Sequence, residues 1–214
     1  MRRSATLATL TGLALGLSAC STPTPSPTPV AAAPTSSAAS PASSSPGATA
    51  TTETTKVDPV AATKQILAGE RQALIHITED DKDWSATYEG PIAIGPGTDD
   101  GARFRLVPSG GDGLFLIEAL RAREEGGRWC VNADTRDEPV SLGTVKCAEN
   151  EKTLFRVSAT GKKDDQGRPT HWINNEKYGT VQVKNDGSAL YIQEVGDGGS
   201  RGTFSFVDRG AVEG

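Results

Sequence analysis

Three stretches of the sequence carry residue types at spacings that could do chemistry. Gly198-Gly199-Ser200-Arg201-Gly202 fits Gly-x-Ser-x-Gly. A hydrolase elbow needs a strand, a sharp turn and a helix, with the acid and the histidine later in the chain. Here a strand pattern follows, and both histidines, His76 and His171, precede the serine. The segment therefore reads as a Gly-rich hairpin turn, and no catalytic residue is assigned. The two histidines could help hold a metal if they converged. They fall at non-equivalent positions of strand-like segments, where barrel-surface histidines are far commoner, so no metal or cofactor is assigned either. Glu79-Asp80-Asp81-Lys82-Asp83 is the densest acidic run. Counted from Asp81, a calcium loop would need Gly sixth and Glu twelfth, but those places hold Ala86 and Ile92. Nor does a loop of carboxylates fix the separation that glycoside hydrolysis requires. A solvated turn is the plain expectation.

The acidic run continues into Trp84 and Tyr88. An aromatic face beside carboxylates is a way to hold a sugar, because the ring packs on C–H faces while the acids accept hydroxyl hydrogen bonds. Asp81, Asp83, Trp84 and Tyr88 are therefore candidate ligand-binding residues, with barrel-capping packing as the alternative for the two aromatics.

The elements that would position these residues begin with an address. Arg2 and Arg3 precede Ser4–Leu17, which is uncharged and rich in Leu and Ala. That is the layout of an export signal, and it is shorter than the ~20 residues of a spanning helix. Leu17-Ser18-Ala19-Cys20 closes it and resembles the lipobox of bacterial lipoproteins. The resemblance implies cleavage after residue 19, a lipid thioether on Cys20 and acylation of the new amino terminus. Two or three acyl chains anchor stably where one is marginal. Residues 1–19 then form a signal peptide. Residues 20–57 form a lipidated linker, nearly all Ser, Thr, Pro and Ala, too poor in apolar residues to fold. Fully extended at ~3.1 Å per residue it would reach on the order of 100 Å.

Residues 58–214 are enough for one domain with a real core. The formal charge is −5 and becomes more acidic without the signal's arginines. Basic residues do not cluster, which argues against a nucleic-acid partner. With Cys20 assigned to lipid, Cys130 and Cys147 remain as a pair in an exported domain, where disulfides persist. A metal-binding or catalytic cysteine is the alternative.

Abundant Gly, few aromatics and short apolar-alternating runs between turn residues indicate an all-β domain. It repeats itself three times. Arg103-Phe104-Arg105-Leu106, Leu154-Phe155-Arg156-Val157 and Thr203-Phe204-Ser205-Phe206-Val207 place phenylalanines 51 and 49 residues apart, each followed six residues later by Gly110, Gly161 or Gly210. Strand patterns precede them at Ile92–Ile94, Val140–Leu142 and Leu190–Ile192. Further back lie Leu74–Ile77, Trp129–Val131 and Thr180–Val183, and first strands are expected near Gln65–Leu67, Phe115–Ile117 and His171–Ile173. Gln65–Ile77 aligns with His171–Val183 without a gap. Asp58-Pro59 reads as a helix start, so a short helix is expected to lead into the first strand. Running on to Leu74, it would remove a strand from the first repeat, and Gly69 opposes that.

Three units of four strands resemble a β-trefoil, and the middle unit is similar to the ricin-type branch. In that branch a second-strand Cys bridges a Cys at the end of the third strand, and a Gln-x-Trp lies near the fourth. Cys130 and Cys147 match the bridge, while Thr153-Leu154-Phe155 stands where Gln-x-Trp would, and the motif is absent in all three units. The resemblance implies a sugar pocket between strands two and three. The family's sugar-binding Asp, two residues after the first Cys, is Asn132 here, with Asp134 nearby. Asn185, Asp186 and Tyr191 occupy the comparable stretch of unit three.

The expected function is a monomeric, non-catalytic binding module, lipid-anchored to the bacterial membrane and facing outside the cytoplasm, for a glycan or cell-wall polymer. The alternative is an envelope-protein binder, such as an inhibitor of an exported enzyme, acting through Arg121–Gly127 or Lys162–Arg168.

Overall fold

The computed structural model describes residues 57–111, 113–195 and 201–212. The signal, Cys20, the linker and the Gly-rich turn around Ser200 lie outside the described residues.

Chain order is α1 (Pro59–Leu67), β1 (Arg71–Ile77), β2 (Lys82–Ala86), β3 (Ile92–Gly95), a 3-10 turn (Asp100–Ala102), then β4 (Phe104–Pro108). The middle unit is β5 (Leu114–Ala119), β6 (Trp129–Asp134), β7 (Val140–Lys146) and β8 (Leu154–Lys163). The last is β9 (Pro169–Asn175), β10 (Gly179–Val183), β11 (Leu190–Gln193) and β12 (Phe204–Ala211). The first and fourth strands of each unit close a six-stranded antiparallel barrel, β1–β4–β5–β8–β9–β12 and back to β1. The second and third strands form three hairpins, β2–β3, β6–β7 and β10–β11. β11 pairs with β7, and Pro91 bridges Gly143, so the hairpins adjoin one another. This is a β-trefoil.

The repeat seen in the sequence is the symmetry of the core. Phe104 pairs with Ala73, Phe155 with Phe115 and Phe204 with His171, at equivalent places in the three units. All three phenylalanines are buried, with Ile75, Ile117 and Ile173 two positions along each first strand. No single hairpin could hide these side chains from water. Joined in one barrel, they share a continuous apolar interior. Gly110, Gly161 and Gly210 all have positive φ (68°, 76° and 99°), which accounts for the repeated glycine.

The first unit departs from expectation. Gln65–Leu67 is helix, not strand. Asp58 Oδ1 accepts from the Val60 and Ala61 amides, both at 3.0 Å, and Pro59 opens the first turn. Ala62, Thr63 and Ile66 make a helical face that is buried, with Ile66 in the barrel core. The helix stops at Gly69, whose φ is +76° and which lies so close to Leu106 that a Cβ would stand 2.9 Å from its carbonyl. Unit one nevertheless keeps four strands, because Arg71–Ile77 serves as the first and Lys82–Ala86 as the second. Ala73, not Gln65, is the counterpart of His171. Units two and three carry their strands where the sequence places them.

Candidate functional site

That shift in unit one takes Asp81, Asp83 and Trp84 out of the loop between strands two and three and leaves Tyr88 in it. Asp83 and Trp84 lie on β2 instead of in a loop. Trp84 is fully buried and meets Phe104 and Phe204 edge-on, with ring centroids 6.3 and 5.3 Å apart. It is a core residue and offers no face to a sugar. Asp83 is buried opposite His76, with Oδ1 3.1 Å from Nδ1, a cross-strand pair that ties β1 to β2. Asp81 is exposed in the preceding turn at φ 50°. Tyr88 is exposed, but Arg121 stacks on its ring at 4.2 Å.

The same Arg121 also holds Asp99 and Asp100, while Arg123 donates to the Thr87 and Tyr88 carbonyls and to Thr144. These bonds strap the Arg121–Gly127 segment down against the β2–β3 turn. Lys162–Arg168 forms the turn of the β8–β9 hairpin, where Asp164 accepts from the Gln166 and Arg168 amides.

Cys130 and Cys147 form a disulfide with S–S 2.03 Å, from β6 to just beyond the end of β7. It pins the hairpin that carries Asn132 and Asp134. Those two residues come together in a cleft of about 680 Å³, walled by the β6–β7 hairpin, the Glu89–Pro91 turn of unit one and Lys152.

The registers explain why this cleft belongs to unit two. Asn132 faces Gly143 across the hairpin; Ser85 faces Ala93 at the equivalent place in unit one, and Gln182 faces Tyr191 in unit three. In unit three the Tyr191 ring covers the position, its hydroxyl 3.4 Å from Gln182 Oε1. In unit one Ser85 is already bonded to Asp99 at 2.8 Å. In unit two the facing residue is glycine, so no side chain from that strand covers Asn132, and the Gly90 carbonyl of unit one approaches within 3.7 Å of where a Cβ at 143 would stand. A Cβ at 143 would stand 3.3 Å from Asn132 Oδ1 and 3.7 Å from Asp134 Oδ2. Gly in a strand interior gives up packing and marks a close approach of backbone or ligand. That was the available sequence signal for Gly143, and reading for charged and aromatic residues alone passed over it.

Asn132 donates to the Ala133 carbonyl at 3.2 Å, and its Oδ1 has no partner among the described residues. Asp134 accepts from the Arg136 side chain, Nε at 2.9 Å, and from the Arg136 amide at 3.1 Å. The side-chain bond is the main cause that brings its pKa down to about 2, against an opposing desolvation. Lys152 donates to Thr135 at 2.9 Å and adds positive charge nearby. The cleft thus offers an amide, a carboxylate that stays ionised well below neutral pH and two cations to a polar ligand. Asp186 and Tyr191 lie outside it: Asp186 accepts from Ser188 N in the β10–β11 turn, and Tyr191 caps its own unit. Among the described residues no cluster of three or more His, Cys, Asp or Glu is arranged to hold a metal.

No family model matches the chain, and no curated protein matches it. Among solved structures it is similar to the crystal structure of a designed 3-fold symmetric protein, ThreeFoil, with a TM-score of 0.52 and 12% identity over 64% of this chain and 99% of that one. At that identity the likeness speaks to the fold alone.

Proposed function

We propose that this chain is a surface-displayed lipoprotein, held to the bacterial membrane by lipid on Cys20, whose trefoil is a non-catalytic binding module for a glycan or cell-wall polymer. The observation that supports a ligand site most directly is the open position over Asn132. Of three equivalent positions, one is covered by Tyr191, one has its polar group already bonded, and one is left bare by Gly143 above an amide and a carboxylate. Vicinal hydroxyls suit such a floor, since Asp134 accepts and the Asn132 amide both donates and accepts. The Ser/Thr/Pro/Ala linker would carry the module away from the membrane toward a surface polymer.

The test is retention of the exported chain on immobilised cell-wall polysaccharide and on a glycan array, with Asn132→Ala and Asp134→Ala compared. Specific retention that both variants lose is expected. Absence of retention on every sugar surface, or retention indifferent to both changes, overturns the reading. The address has its own test: Cys20→Ala should move the protein from the membrane fraction to the medium and abolish metabolic labelling with palmitate.

A further inference from the structure

We infer that the outer face of β9 carries a second binding site, for a polysaccharide strand whose pyranose rings bear carboxylates. It lies in a groove of about 690 Å³ that is separate from the unit-two cleft and shares no lining residue with it.

The floor is built by strand alternation. His171 and Ile173 point into the barrel and are buried, while Thr170, Trp172 and Asn174 face the groove. Trp172 is 39% exposed, and among the described residues no ring or cation stacks on it. Tyr88 is covered by Arg121, Trp129 by Arg123 and Lys146, and Tyr178 by Lys177, while Tyr191 is half-buried over Gln182. Trp172 therefore presents a free indole face, suited to the C–H face of a pyranose.

The polar groups around it divide by sign. Both carboxylates of the groove are already occupied. Glu79 accepts from the Thr203 amide at 3.0 Å and its hydroxyl at 2.9 Å. Asp164 takes the Arg168 side chain at 2.6 Å and two backbone amides. The acceptor of Asn174 is likewise filled by Thr180, at 2.6 Å. The donors left open are the Asn174 amide and the exposed Lys162 and Lys163 at the end of β8, neither ammonium having a carboxylate partner among the described residues. Glu79 keeps its negative charge, since both its donors are neutral, and Asp164 is balanced by Arg168, so Lys162 and Lys163 leave the groove one positive charge in excess, which on a chain of net charge −5 favours an anion there. The free indole narrows the class further. A linear polyol phosphate would satisfy the lysines but has no ring to lay on Trp172. A uronic-acid-bearing strand satisfies both.

Calorimetric titration of the exported chain with polygalacturonate, alginate and hyaluronan fragments tests this. At least one should bind, with affinity falling as salt rises and with quenching of tryptophan fluorescence. Lys162→Ser with Lys163→Ser should weaken binding tenfold or more, and Trp172→Ala should abolish both heat and quenching. The unit-two reading is scored by lost retention in Asn132→Ala and Asp134→Ala and this site by lost heat and quenching in Trp172→Ala, so the two stand or fall separately. The inference is overturned by no binding to any of the three polymers. It is equally overturned by equal binding to fully methyl-esterified pectin or to a ribitol-phosphate polymer, or by affinity unmoved in the lysine double variant.

Discussion

Asn132 and Gly143 face each other across the β6–β7 hairpin at the place where unit three sets Tyr191 over Gln182. The same backbone site is thus open in one unit and closed in another by a single side chain. Gly143 does not have positive φ, so a larger residue is tolerated by the backbone, and its nearest obstacle is the Asn132 side chain. Gly143→Tyr is expected to give unit two the closed form of unit three. Retention on the cognate glycan should fall at least tenfold, while the variant still folds at a cost of about 1–3 kcal/mol, because a Cβ at 143 stands 3.3 Å from Asn132 Oδ1. Undiminished retention in a folded Gly143→Tyr variant would remove the cleft from consideration.

Trp84 and Tyr88 separate just as sharply. Trp84 is enclosed by Phe104 and Phe204 in the barrel core. Trp84→Ala should cost about 3–5 kcal/mol, the usual range for a large aromatic removed from a core. Tyr88→Ala removes an exposed ring whose hydroxyl reaches Asp100 at 3.3 Å, and should cost about 1 kcal/mol or less. Denaturant titration of both variants checks the ordering, and similar midpoints would contradict the assignment.

This contrast shows what the sequence could and could not convey. Phe104, Phe155 and Phe204, with Gly110, Gly161 and Gly210, are legible because symmetry demands the same residue type at each place. Units two and three follow, since their strands alternate cleanly and their turns are rich in Gly and Asn. Unit one misleads at Ile66, which is apolar and followed by a turn whether it lies on a strand or on a helix. Assigning it to a strand pushed Asp83 and Trp84 outward into a loop. The helix cap at Asp58 held the correct answer, but the ungapped match of Gln65–Ile77 to His171–Val183 competed with it. The open positions were harder to see, because nothing in a lone glycine or in an outward-facing Trp172 states what its neighbours leave unfilled.

The Cys130–Cys147 bridge closes a loop over a sequence separation of 17. Constraining the unfolded chain by that much is typically worth ~3 kcal/mol, or about 6–12 °C in a domain of this size. Reduction, or Cys130→Ala with Cys147→Ala, should lower the melting temperature by that order and leave the barrel folded, because the barrel strands are held by the shared core and their own ladders. Since the bridge pins the hairpin carrying Asn132 and Asp134, glycan retention should weaken in the reduced protein well below its melting point. Identical melting curves with and without reductant would refute the stabilising role.

Asp134 supplies a pH signature. Its carboxyl is held at about 2, chiefly by the Arg136 side chain, whereas an unfolded Asp protonates near 3.9. Between those values the unfolded chain binds the proton and the folded chain does not. The contribution to stability is therefore complete above about pH 5 and is lost as pH falls toward 2. Because Arg136 is 87% exposed, solvent screening limits that contribution to about 1 kcal/mol. Carboxyl-carbon NMR should show the Asp134 midpoint at about 2, returning toward 3.9 in Arg136→Ala. Asp134→Asn should flatten the loss of stability between pH 5 and 2 relative to the unaltered protein. Ligand retention that depends on the ionised carboxylate should in turn persist down to about pH 3, and an Asp134 midpoint near 4 in the unaltered protein would dismiss the ion pair as the cause.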